Sequence, residues 1–361
     1  MIAKISKRSA AFVALLMIAS AVFIPMSVMA GPVIVASVTS DNPQTAAPGK
    51  SVIFNISIQN TGDADSTVNL SVSGNGTWTA QLSTSQIQVQ QGSTTTIYLT
   101  VGVPSTAQAD SVGKAIVVEA KYYSGSTEQV KQATTTTKVS QVYSFTMAID
   151  GSFNKDIAPG TSGVFSLTVN QTASGNGVNY INLSPTGEQP DKLIISYSQN
   201  PVTMQPFSPT TITVTVYVPQ DALAKQYSYI IGGNSQGGGS AQTANIIINV
   251  TQVWGISLEA TQAVQYVNPD SLISYTINVN NTGNKADTFD VTAVDFLSGS
   301  TGWTETHTSS IGPINPKTIG QVSVQVYAPL SAPYPNSMQV RVNVTSETNT
   351  TIVRSLTLTA V

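Results

Sequence analysis

The stretch QNTGDADSTVNL, residues 59–70, is echoed far downstream at residues 280–291 as NNTGNKADTFDV. Each copy follows an alternating apolar run. Before the first, Val52, Phe54, Ile56 and Ile58 fall on one face, with Ile53, Asn55 and Ser57 on the other. That period of two predicts a half-buried antiparallel strand. Asn-Thr-Gly then reads as a corner: Asn tolerates left-handed backbone and caps its own chain, and Gly takes positive φ without steric cost. Alternation resumes in STVNLSV and DTFDVTA, so the phrase is strand, turn, strand.

Three landmarks extend the echo to a full repeat. The lead-in strands start at Pro48, Pro159 and Pro269, 111 and 110 residues apart. A strand ending on proline recurs as VGVP (Val101–Pro104), VYVP (Val216–Pro219) and VYAP (Val326–Pro329). Seams recur as VSQVY (Val139–Tyr143) and VTQVW (Val250–Trp254). A period of about 110 residues is too long for a solenoid unit and suits a whole β-sandwich. The expected fold is all-β: three tandem immunoglobulin-like antiparallel β-sandwiches at 31–140, 141–251 and 252–361, preceded by an N-terminal hydrophobic helix. Seams this short predict strand running into strand and a stiff rod. Gly74-Asn75-Gly76 and Gly175-Asn176-Gly177 read as loop tips, and residues 232–242 as a flexible hairpin tip. Whether the Thr134–Thr137 run is an edge open to pairing with another copy is left undecided by the pattern.

Strands leading into NTG, then Trp78-Thr79 or Trp303-Thr304, then a VxVP strand resemble the cell-adhesion-related and alpha-galactosidase-associated immunoglobulin-like modules of archaeal and bacterial exported proteins. The resemblance spans residues 33 to 361, although the middle repeat has no Trp and a degraded NQTASG. It implies a fold more than a function, since such sandwiches serve as spacers, binders or appendages.

The N-terminus reads as an address. A basic start (Lys4, Lys7, Arg8) precedes an apolar run, and Val28-Met29-Ala30 fits the small-residue rule for cleavage between Ala30 and Gly31. The run from Ser9 to Ala30 approaches bilayer-spanning length, so a retained membrane anchor is a second reading. KRSAAFVALL also resembles a pilin-type signal cut after Ser9, which would leave the helix on a filament subunit. All three readings place the remainder outside the cytoplasm.

Composition narrows the function classes. The formal charge of −3 becomes −6 without the leader, with 12 basic residues against 18 acidic, which argues against nucleic acid. The chain has no cysteine, which removes disulfides and Cys-based metal sites. His307 is the only histidine and cannot make a zinc site alone. There is no GxSxG elbow for a hydrolase triad, and His307 reads as a surface residue. Asp63, Asp65, Asp287, Asp290 and Asp295 gather near turns and read as solvated rather than as a calcium loop or a glycosidase pair. No catalytic residue, metal or cofactor is expected.

Aromatics and asparagines supply the remaining candidates. Trp78 and Trp303 occupy equivalent positions and read as core or turn packing. Tyr143 and Trp254 lie at the seams and read as joint packing. Tyr122, Tyr123, Tyr227 and Tyr229 read as core residues with a sugar-stacking face as the alternative, Tyr227 and Tyr229 being the named ligand face. Of nine Asn-x-Ser/Thr acceptors, Asn75, Asn170, Asn280 and Asn349 are the glycan candidates, with Asn75 first. The expected function is a non-catalytic extracellular structural or adhesive cell-surface protein: a stalk, a surface-layer-associated component or a filament subunit. It would contact other surface proteins or itself, and meet the membrane only through its N-terminal segment. The alternative is a polysaccharide-binding or accessory module of a secreted system.

Overall fold

The computed structural model describes residues 31–171, 175–186, 193–296, 302–331 and 337–361. The segment behind the signal, anchor and helix expectations, Ala30 included, lies outside them. The described chain is all-β, built of tandem immunoglobulin-like sandwiches, with no helix among the described residues. It divides into two compact units. One holds Met1–Pro43, Ile53–Val101 and Lys114–Thr136; the other holds Gln44–Val52, Gly102–Gly113 and Thr137–Val361. The first unit is thus the bulk of the first repeat. The second contains the other two repeats and three short segments of the first.

Each repeat supplies a four-stranded and a five-stranded sheet. In the first repeat the four-stranded sheet runs Ile34–Val38, Ser51–Asn60, Thr94–Gly102, Thr79–Leu82 in spatial order. Its companion runs Gln44–Ala46, Thr127–Val139, Asp110–Ser124, Ser66–Ser73, Gln86–Val89. The same orders recur twice, with central strands Ser162–Gln171 and Ser271–Asn281 in place of Ser51–Asn60. One expectation is corrected here: the sheets are not wholly antiparallel. The chain changes sheet early in each repeat, and the short second strand lies parallel to the last one. Gln44–Ala46 pairs Thr137–Val139, Asn154–Ile157 pairs Ile247–Val250, and Val264–Gln265 pairs Thr359–Ala360. This covers the edge of the closing strand, which would otherwise present unpaired backbone.

The predicted alternation decides which side chains are inside. Phe54, Ile56 and Ile58 are fully buried, whereas Ile53 is 55% exposed. In the second repeat, Phe165, Leu167 and Val169 from one sheet share a core with Ile181, Ile246 and Ile248 from the other. Tyr275, Ile277 and Val279 meet Phe289, Val342 and Val344 in the third. Each such side chain contributes about 1.5–3 kcal/mol by leaving water.

The threonine run does not offer an open edge along its length. Thr135 and Thr137 are buried, and the Asn42 side chain donates to Thr134 O at 3.0 Å and accepts from Thr136 N at 2.7 Å. A side-chain amide there stands in for a neighbouring strand.

Candidate functional site

The repeated phrase is a buried polar corner. Asn60 is fully buried. Its Oδ1 accepts from Gly62 N at 3.0 Å and Val33 N at 3.3 Å, and its Nδ2 donates to Ala64 O at 2.8 Å and Val89 O at 3.2 Å. Asn281 does the same, accepting from Gly283 N at 2.9 Å and donating to Lys285 O and Ile314 O, each at 2.8 Å. Four bonds use the full capacity of the Asn60 carboxamide. Asn therefore caps its own backbone as expected, but neither Asn60 nor Asn281 is left-handed, and Gly62 and Gly283 are not at positive φ. These glycines are needed for close approach instead. A Cβ on Gly62 would lie 2.3 Å from Gly31 O, and one on Gly283 would lie 2.6 Å from Val253 O.

The residue after that corner glycine forms a latch. Asn284, buried at 4% exposure, accepts from Val253 N at 2.8 Å through Oδ1. Its Nδ2 donates to Thr251 O at 3.0 Å and to Ala222 O at 3.1 Å. Its backbone carbonyl accepts from Ala224 N at 2.9 Å. The third repeat thereby grips both the seam and the turn that follows Pro219 in the second. Asn176 has the same set: Val142 N at 2.8 Å, Ser140 O at 2.9 Å, Ala107 O at 3.2 Å, and Ala109 N onto its carbonyl at 2.8 Å. All these residues belong to the second unit. The loop-tip expectation for Gly175-Asn176-Gly177 is corrected, since Asn176 is completely buried. Gly74-Asn75-Gly76 is a genuine turn, with φ of 82° and 59° at its glycines.

In the first repeat the corresponding residue is Asp63, whose Oδ1 accepts from Gly31 N at 2.5 Å. Gly31, Val142 and Val253 are spaced by 111 residues each time. The acceptor oxygen is kept in all three repeats, and the amide donors are kept in only two.

Beside Asn284 a cavity of about 270 Å³ opens, lined among others by Asp221, Leu223, Lys225, Tyr227 and Lys317. Lys225 Nζ lies 4.9 Å from the Tyr227 ring centroid, and Lys317 Nζ donates to Thr282 O at 2.5 Å. The cleft is small and mixed in charge. No group of three or more His, Asp or Glu side chains able to hold a metal ion occurs among the described residues.

The ligand face assigned to Tyr227 and Tyr229 is corrected by burial. They are 7% and 6% exposed, within the core of the second repeat. Tyr227 Oη donates to Leu223 O at 3.2 Å, and Tyr229 Oη lies 3.4 Å from Tyr197 Oη. Burial, then the Tyr229 hydroxyl, pushes the Tyr197 hydroxyl well above the usual phenol range. Both rings alternate inward on Gln226–Ser235, which explains why they cannot stack on a solvent-borne sugar. Tyr122 is likewise 3% exposed, while Tyr123 is 59% exposed.

The glycan candidates separate. Asn349 sits in the loop between Met338–Ser346 and Val353–Ala360, and its Oδ1 accepts from Thr351 Oγ1 at 2.7 Å and Thr351 N at 3.2 Å. Asn75 spends its side-chain nitrogen on Trp78 O at 2.9 Å. Asn170 is exposed within Ser162–Gln171. Asn280 has a buried Oδ1 without a hydrogen-bond partner. His307 Nδ1 lies 2.9 Å from Glu305 Oε2, two residues away on one strand face.

Trp303 is core, 6% exposed, whereas Trp78 is half-buried under Lys114 at 5.9 Å. The seam aromatics pack on their own repeats. A Cβ on Gly237 would strike the Tyr143 ring at 2.0 Å, so the glycine-rich loop is shaped around that ring. Trp254 Nε1 donates to Thr348 Oγ1 at 2.8 Å, which in turn donates to Asp287 Oδ1 at 2.8 Å. Ser346 Oγ donates to Asp287 Oδ2 at 2.5 Å. Asp287 is 4% exposed, which corrects its reading as solvated; Asp65 and Asp290 are exposed as expected, and the Asp295 side chain lies outside those described.

Sequence reasoning missed Asn176 and Asn284. Their partners do recur in the repeat, Ala107 and Ala222 each standing three residues after the strand-ending prolines Pro104 and Pro219, and Ala109 and Ala224 two residues further, but nothing local links them to the asparagines.

No curated protein matches the chain. Among solved structures it is similar to PcdhgB3 EC1-4 at 9% identity, covering 90% of this chain and 75% of that one, with a TM-score of 0.45. An I-band fragment of titin is similar at 9% identity, over 92% of this chain and 98% of that one, with a TM-score of 0.35. An endo-fucoidan hydrolase of glycoside hydrolase family 107 is similar at 13% identity, over 89% of this chain and 42% of that one, with a TM-score of 0.24. No role of these proteins is carried over at such scores. Residues 35–136 match the family model described as the VWA7 Ig-like domain.

Proposed function

We propose that the chain is an exported, non-catalytic structural or adhesive protein of the cell surface. Its sandwiches, bounded at 31–140, 141–251 and 252–361, serve as spacers joined by fixed seams. The observation that carries this reading is the latch at Asn284. Two side-chain bonds and one backbone bond tie the third repeat to the second, at about 0.5–1.5 kcal/mol each. A seam so fully bonded suits a part that transmits position or load. Its partners are other surface proteins or further copies of the chain. The burial of Tyr227 and Tyr229 removes the support for a polysaccharide face.

Surface labelling and immuno-electron microscopy of the native cells test the proposal. The expected result is label retained on the envelope. Finding only free monomer in the culture fluid overturns it, and a hydrolytic activity lost on His307→Ala overturns its non-catalytic part.

A further inference from the structure

We propose that Asp63 is the seat of a free α-ammonium group, generated by cleavage between Ala30 and Gly31. The inference rests on the export reading above and adds a binding role to a residue of the first repeat. Three corresponding corners carry it. In the second and third repeats, the N–H of Val142 or Val253 is an ordinary peptide amide, and its acceptor is the side-chain oxygen of Asn176 or Asn284. There the acceptor must also be a donor, because its Nδ2 grips two carbonyls of the chain before it. In the first repeat the nitrogen at this place is that of Gly31, and the acceptor is the carboxylate of Asp63 at 2.5 Å. A carboxylate has no N–H to give and accepts only. It is the weaker choice for gripping carbonyls and the stronger one for holding a cation, since charge-assisted hydrogen bonds are about twice as strong as neutral ones.

The backbone geometry is the same in the first and third repeats. Asp63 N donates to Gly31 O at 3.3 Å as Asn284 N donates to Val253 O at 3.1 Å, and Thr61 N to Val33 O as Thr282 N to Gly255 O. The side chain that accepts from the held nitrogen changes from a carboxamide to a carboxylate. Cleavage by an endopeptidase adds water across the Ala30–Gly31 bond. The Ala30 carbonyl carbon takes the hydroxyl and becomes a carboxylate; the Gly31 nitrogen leaves with the proton balance of an ammonium. The nitrogen already within reach of Asp63 thereby gains a full charge and two more donors, turning a hydrogen bond into an ion pair.

The test uses the full mature protein from its native cells. Its N-terminal residue is determined first, by intact mass and stepwise degradation. The thermal transition is then measured before and after selective acetylation of the α-amine, in the wild type and in Asp63→Asn. Asn stands at this place in both other repeats, so the variant keeps the corner. The expected result is a chain beginning at Gly31 whose Tm falls by about 4 °C on acetylation, with no fall in Asp63→Asn. A Gly31 start with equal shifts in both proteins overturns the seat and leaves export intact. A start at Ala10, or an intact leader, overturns the cleavage and the seat together.

Discussion

The Nδ2 of Asn284 lies 3.1 Å from the carbonyl oxygen of Ala222, 62 residues earlier in the chain. That bond ties the third repeat to a turn of the second, and it is one of five made by a single residue. Replacing Asn284 with Ala leaves the Ala222 and Thr251 carbonyls and the Val253 N–H without it. The Ala222 carbonyl, orphaned where it is buried, costs about 1–3 kcal/mol, and the half-buried Thr251 carbonyl and the exposed Val253 N–H cost less. Calorimetry of Asn284→Ala is expected to show the third repeat melting earlier and separately from the second. Asn278→Ala, which removes an exposed bond to Gln321, stays within about 0.5 kcal/mol of the parent. Equal behaviour of the two variants would remove the latch from any account of stability.

Glycine substitutions distinguish close approach from left-handed backbone. Gly92 has a φ of 71° and open space around its missing Cβ, so Gly92→Ala costs only the conformational penalty, about 1–2 kcal/mol. Gly283 has no positive φ, yet its Cβ would meet a backbone carbonyl at 2.6 Å. Urea titration is expected to find Gly283→Ala the more damaging of the two. The reverse order would mean that the corner yields easily.

Tyr275 predicts an alkaline limit for the third repeat. Its ring is fully buried and its hydroxyl donates to Thr359 O at 2.7 Å. Burial pushes the hydroxyl up to about 12 from an ordinary value of 10.0, against a smaller downward pull from the backbone of Gln265. The unfolded chain gives up this proton first, so its contribution to stability is complete below pH 10 and declines as pH rises towards 12. Denaturant midpoints measured over that interval should fall in the parent and fall less in Tyr275→Phe. Below pH 10 the variant is weaker by about 0.5–1.5 kcal/mol, the worth of its lost hydrogen bond.

Among the glycan acceptors, Asn349 is expected to be occupied and Asn280 not. The first lies in a hairpin loop with the Thr351 hydroxyl on its own carboxamide; the second has its oxygen enclosed at the end of a central strand. Glycopeptide mapping of the native protein decides this, with Asn349→Gln losing one glycan increment in mass and Asn280→Gln losing none. Occupancy at Asn280 alone would contradict the order.

The strands were legible because their information is local. The alternation of Val52 to Ile58 shows which face is buried without knowledge of any partner, and the 111-residue spacing groups the strands into repeats. The same rule applied to Gln226–Ser235 would have placed Tyr227, Tyr229 and Ile231 together on the inner face. The asparagines were not legible because their partners are remote in sequence. A glycine-flanked Asn such as Asn176 has the composition of an exposed turn, and nothing within a few residues of it points to Ala107. Asp287 misled for the same reason: its partners Ser346 and Thr348 are 59 and 61 residues away.

The even spacing of Gly31, Val142 and Val253 has a consequence for how such a chain can change in length. Ser140 and Thr251 present equivalent carbonyls, and Asn176 and Asn284 present equivalent amides to them. Deleting Gln141 to Thr251, one whole module, would join Ser140 to Gln252 and offer Asn284 the carbonyls of Ser140 and Ala107 that Asn176 now holds. A gene that duplicated or lost this module would inherit the same asparagine-to-carbonyl junction at no further mutation.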